Sequence, residues 1–135
     1  MRRYLLDTGS ASDFVHRRKG VDVKAQQRKA LGDIIGTCIP VLGELWAGIE
    51  LSATRQKNQL KLVRALSSVK IWPFDKPAAQ EYGRIYAHLK RIGRPMQQID
   101  IQIAAIALSL GNCTVVTKDS DFKAIPGLAV EDWST

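Results

Sequence analysis

Four acidic residues stand at positions where their surroundings give a carboxylate work to do. Asp7 follows the apolar run Tyr4-Leu5-Leu6, and Asp119 follows the β-prone run Cys113-Thr-Val-Val-Thr117. Both runs read as buried strands, and sites in open α/β sheets form at the carboxyl ends of strands. Asp100 falls in the first turn of the most apolar helical stretch, Ile99 to Leu110. It lies roughly 200° around that helix from the polar Gln102, so it points inward. Glu44 shares a helical face with Val41, Leu45 and Gly48, which places it among apolar neighbours. Any one of these acids alone reads as a helix cap or a first-turn dipole partner. Four together point to a shared site, because a buried carboxylate is costly unless it is paired or holds a cation.

Two carboxylates ~5 Å apart repel by roughly 3 kcal/mol at an effective dielectric of about 20. Three or four together raise their own pKa values or splay apart. A divalent cation removes that penalty. Hard oxygen donors without His or Cys suit Mg²⁺ or Mn²⁺ and not zinc. Such an ion activates a water and stabilises charge on a phosphoryl oxygen. His16 and His88 have no acid–base partner in the pattern and read as surface residues.

The elements that must position these acids alternate along the chain. After the first strand, residues 10–33 read as a helix in two pieces broken near Gly20. Residues 36–40 read as a second strand, and Val41 to Thr54 as a helix. Residues 55–69 form a basic amphipathic helix with Leu60, Val63 and Leu66 as its apolar stripe. Val69 to Pro73 is a short edge element, because Pro73 cannot donate to a ladder. Asp75 to Arg91 reads as a helix, and the helix from Ile99 is stopped by Gly111-Asn112. Leu128 to Val130 is a last strand. The fold class is α/β, with a central, mostly parallel sheet flanked by helices.

The chain has 135 residues, enough for one domain with a sizeable core. Its hydrophobic fraction of 45% excludes global disorder. No apolar run reaches the ~18 residues of a membrane span, and the start lacks a signal peptide's apolar core, which implies a cytoplasmic protein. Two cysteines, Cys38 and Cys113, exclude a disulfide framework and read as buried reduced thiols. Trp46 and Trp72 read as core residues. The net charge is +7, unevenly spread. Residues 51–99 hold ten bases and two acids, whereas residues 100–135 hold two bases and five acids. A basic middle beside acid-bearing ends suits a polyanion brought to a carboxylate cluster. Arg55, Lys57, Lys61 and Arg64 recur at near-helical spacing, and Lys90, Arg91 and Arg94 cluster before Asp100. These seven are candidate contacts to the phosphate backbone of such a polyanion.

The residues also resemble a family, the PIN-domain ribonucleases, and within it the VapC toxins of bacterial toxin–antitoxin pairs. The likeness is carried by YLLDTGS at 4–10, CIPVLGELWAGI at 38–49, KIWPFD at 70–75, IDIQIAAIAL at 99–108 and VVTKDSDFKAIPGLAVEDW at 115–133. It implies a PIN-like fold over residues 1–135 and a catalytic set of Asp7, Glu44, Asp100 and Asp119. Of these, Asp7, Asp100 and Asp119 would hold Mg²⁺, with Mn²⁺ as a substitute. Asp121 is a second candidate for the last position. Thr8 and Thr117 are supporting hydroxyls. The resemblance further implies an endoribonuclease that cuts structured RNA such as tRNA or a ribosomal RNA loop, a homodimer, and a cognate VapB-like antitoxin. Gly9 departs from the Asn or Ser common in relatives, and the stretch Met96 to Ile99 adds no further acid.

Three other readings compete. Leu5-Leu6-Asp7-Thr8-Gly9-Ser10 is like an aspartic-protease loop, but that fold is almost all β and this chain is rich in helical periodicity. A basic α/β module could bind nucleic acid or a protein partner without turnover. A metal nuclease could act on another nucleic acid.

Overall fold

The computed structural model describes residues 1–135. Five strands, β1 (Arg3–Leu6), β2 (Ile34–Cys38), β3 (Lys70–Trp72), β4 (Cys113–Val116) and β5 (Ala129–Glu131), form one sheet in the order β3-β2-β1-β4-β5. All four pairings are parallel. The central strands β1 and β4 are apolar and almost wholly buried, as parallel strands covered on both faces must be. Six helices cover them: α1 (Thr8–Val15), α2 (Val21–Ala30), α3 (Ile39–Glu50), α4 (Arg55–Leu66), α5 (Lys76–Arg91) and α6 (Gln98–Leu110). No helix is long and apolar enough to cross a membrane.

Local chemistry sets the boundaries. The Asp7 carboxylate accepts from the Ser10 amide at 2.8 Å, so α1 begins at Thr8, two residues before the expected start. The turn between α1 and α2 takes Arg17, Lys19 and Gly20 through the left-handed region, which is the expected break near Gly20. The second strand covers Ile34–Cys38 and not residues 36–40, because Ile39 and Pro40 open α3. That helix ends at Glu50, short of Thr54. β3 is an edge strand, as Pro73 requires.

The core is built on β1, β4 and α6, where Ile101, Ile103, Ala104, Ala105, Ile106 and Ala107 are all buried. Trp72 packs against it, whereas Trp46 is half-buried outside it. The buried tryptophan is Trp133, its ring 5.0 Å from that of Tyr4. On α4 the expected stripe is displaced. Leu60 and Val63 are each 51% exposed, and Leu62 is the residue that enters the interior. Both thiols are free and buried. Burial pushes each up to about 12, so neither forms a thiolate at neutral pH.

Candidate active site

The sheet order reverses its direction of winding at β1, whose neighbours are β2 on one side and β4 on the other. A crevice at the carboxyl ends of such strands is the usual place for a site in an open α/β sheet. Asp7 follows β1 directly, and its amide donates to the Val116 carbonyl at 3.1 Å, which ties the ends of β1 and β4 together. Thr117, Lys118 and Asp119 follow β4. Glu44 lies in the second turn of α3 and Asp100 in the first turn of α6.

Asp100 records the company it keeps. Its carboxyl is pushed up to about 6, first by burial and then by repulsion from Asp119, Asp7, Glu44 and Asp121, in that order. All three other sequence-predicted acids, and Asp121, therefore lie near enough to Asp100 to act on it. No three His, Cys, Asp or Glu side chains stand close enough, as they lie, to enclose an ion. The donor set nevertheless fits a hard divalent cation. It is all carboxylate, it contains no imidazole or thiolate, and the repulsion that Asp100 feels from the other acids is what a cation relieves.

One expectation is reversed. Glu44 is exposed and does not sit among apolar side chains. Val41 and Ile49 are the residues of α3 that are buried. The Thr8 hydroxyl donates to the Glu44 carboxylate, which orients an otherwise open acid toward the end of β1. Thr117 is buried, and its hydroxyl accepts from the Asp119 amide at 3.0 Å. Asp119 in turn caps the short 3-10 turn Ser120–Ala124 by accepting from the Asp121 amide at 2.9 Å. The Asp121 side chain pairs with Arg94 at 3.7 Å on the surface.

The candidate RNA contacts divide. Arg55 is held by Glu50 at 3.0 Å and Arg94 by Asp121. Lys90 lies over the Tyr86 ring at 5.9 Å. Lys57 and Arg91 are exposed. Lys61 and Arg64 line a groove of about 540 Å³ between α1, α2 and α4, together with His16 and Arg17. His16 also lines a second groove of about 450 Å³ that reaches Thr8 and Glu44 past Ser12 and Asn58. His16 is thus half-buried between two grooves and not a plain surface residue. Its pKa is lowered, first by burial and then by Arg18 and Lys61. The spacing of four between Thr8, Ser12 and His16 was the available signal, since it puts all three on one face of α1.

Comparison with known proteins agrees with this geometry. The PIN domain family matches residues 4–128. The tRNA(fMet)-specific endonuclease VapC of Shigella flexneri is 30% identical over 99% of this chain and 100% of its own length. Ribonuclease VapC2 of Rickettsia felis is 30% identical over 96% of this chain and 97% of its own. Among solved structures, VapBC2 from Rickettsia felis bound to a promoter DNA fragment superposes with a TM-score of 0.90 at 28% identity, covering 98% of this chain and 99% of that one. DNA-bound VapBC from Salmonella typhimurium gives 0.89 at 28% identity, with 98% and 99% covered. An all-parallel sheet with acids at its carboxyl edge, and these likenesses over nearly the whole length, lead to one assignment: the chain belongs to the PIN-domain family, among its VapC ribonucleases.

Proposed function

We propose that this protein is a VapC-type toxin, a metal-dependent endoribonuclease that acts in the cytoplasm on structured RNA and is neutralised by a VapB-like antitoxin. The single observation that carries the reading is the gathering of Asp7, Glu44, Asp119 and Asp121 around the half-buried Asp100 at one sheet edge, where burial and then their charges push its carboxyl up. Asp7, Asp100 and Asp119 would hold a Mg²⁺ or Mn²⁺ ion, with Asp119 favoured over Asp121 because Asp121 is engaged by Arg94. When bound, that ion supplies a polarised water and relieves charge on the phosphoryl oxygen. Glu44, oriented by Thr8, would accept the proton of the water that attacks phosphorus, while the P–O bond to the leaving ribose oxygen breaks and that oxygen takes a proton from solvent. Thr117 keeps the Asp119 main chain in place. Lys61 and Arg64, with Lys57, Lys90, Arg91, Arg94 and Arg55 as outer contacts, attract the phosphate backbone.

Two of the relatives are named tRNA(fMet)-specific endonucleases, so initiator tRNA is the first substrate to try. The solved VapBC complexes support an antitoxin partner. Exposed Leu51, Leu60 and Val63 offer apolar area to a second chain, in a homodimer or in the antitoxin complex. The test is cleavage of total cellular RNA and of initiator tRNA by antitoxin-free protein in Mg²⁺, Mn²⁺ or EDTA. Discrete metal-dependent fragments, lost in Asp7→Ala and Asp100→Ala, are expected. RNA binding without turnover in any metal would replace the nuclease with a binding module.

A further inference from the structure

Asp13 is the one charged side chain among the 32 buried residues, and the chemistry proposed above does not use it. Its side chain is 8% exposed. One carboxylate oxygen lies 3.2 Å from the Lys118 ammonium, and the other 3.7 Å from the Arg18 guanidinium. The helix that carries it packs on α2, and Ala11 on α1 and Val21 and Ala25 on α2 are buried apolar residues. Replacing a buried ion pair by well-packed apolar groups is often neutral or stabilising, so stability alone is a poor account of this carboxylate.

The position of Lys118 gives a better one. It stands between Thr117 and Asp119, in the loop that carries the last acid of the site. Asp13 stands on α1, the helix that Asp7 caps. Six residues of helix separate Asp7 and Asp13, a rise of about 9 Å. The β4 loop is therefore attached to α1 at two separated points. The first is the main-chain bond from Asp7 to Val116, and the second is the Asp13–Lys118 pair. The Thr117 amide also donates to the Glu131 carbonyl at 2.9 Å and Phe122 is buried, so the loop is anchored at its two ends, and between those anchors the Lys118–Asp13 pair ties it to α1. That pair sits one residue before Asp119 and six after Asp7, between the two acids whose separation matters.

We infer that Asp13 is a positioning residue, which through Lys118 holds the Asp119 loop at its working distance from Asp7. This rests on the nuclease reading. A misplacement of about 1 Å in a catalytic group costs up to about 100-fold in rate. The test measures kcat and KM of RNA cleavage for Asp13→Asn, Lys118→Met, the double variant and Lys118→Arg, with hydrogen exchange of residues 117–121 followed in each. Asp13→Asn and Lys118→Met should each lower kcat by roughly 10–100-fold with KM nearly unchanged. The double variant should be no worse than the poorer single one, and Lys118→Arg should keep most of the rate. Exchange in residues 117–121 should quicken while that of α6 does not. Lys118 is partly exposed, so Lys118→Met stays informative if Asp13→Asn misfolds. A raised KM with intact kcat would make Lys118 a mere phosphate contact and overturn the inference, as would additive losses in the double variant. If the wild type cleaves nothing, the nuclease reading falls, and unchanged exchange at 117–121 then removes the positioning role as well.

Discussion

Replacing Asp100 by Asn should stabilise the metal-free protein at neutral pH, although it removes an acid of the proposed site. The folded carboxyl titrates at about 6 against an ordinary 3.8. That difference corresponds to about 3 kcal/mol between its two protonation states. The group is only half-buried, and solvent screening lowers the figure to about 1–2 kcal/mol. The sign follows from proton counting. Between pH 4 and about 6 the folded chain keeps a proton on Asp100 that the unfolded chain has released. Stability therefore falls as pH rises through that window, and the whole penalty is present above it. Asp100→Asn carries no such penalty. In EDTA at pH 7.5 it should gain about 1–2 kcal/mol over the wild type, or roughly 3–8 °C in Tm. By pH 4 the gain should shrink towards zero. Thermal and urea unfolding from pH 4 to 8 measures both. Excess Mg²⁺ should reverse the order at pH 7.5, because only the wild type keeps the full donor set. A variant that is no more stable than the wild type at pH 7.5, or equally favoured at pH 4, would show that the acids do not load one another as inferred.

Two further outcomes follow from particular side chains. Lys61→Gln with Arg64→Gln should leave kcat intact and weaken RNA binding. It should also flatten the salt dependence of log Kd by roughly 0.7 for each phosphate that is no longer neutralised, read by titration in 50–300 mM salt. A Cβ at Gly36 would lie 2.6 Å from the Trp72 ring and 2.8 Å from the Lys70 carbonyl oxygen, so β2 and β3 could not stay paired as they are. Gly36→Ala should cost about 1–3 kcal/mol in urea unfolding, with strand β3 losing exchange protection first.

Much of the fold was legible because strands and helices here differ in kind. β4 is a continuous β-prone run with Thr114, Val115 and Val116 β-branched, α6 is largely apolar over three turns, and Gly111 and Asn112 both take positive φ at its end. Boundaries moved where one group served two roles. Asp7 both follows a strand and caps a helix, so the strand-to-helix passage has no intervening loop. Ile39 is β-branched and reads as strand, yet Pro40 behind it fixes a helical start. The α4 stripe failed for another reason. Leu60, Val63 and Leu66 do share a face, but α4 meets α1 and α3 through Leu62.

The same limit explains the two acids that exchanged places. Periodicity says which residues share a helix face. It does not say which face another element covers. Glu44 sits beside Val41 and Leu45 in the pattern and is exposed, because α3 buries Val41 and Ile49 and leaves Glu44 at the edge. Asp13 carries no mark in its own segment and is buried, because its partner Lys118 arrives 105 residues later. Three of the four acids of the proposed site, Asp7, Asp100 and Asp119, lie just past a strand or in the first turn of a helix, and local pattern finds those positions. An acid that holds the others in place needs a partner from a distant element. Only the assembled sheet brings α1 and the β4 loop together, so that kind of residue stays invisible until the fold is known.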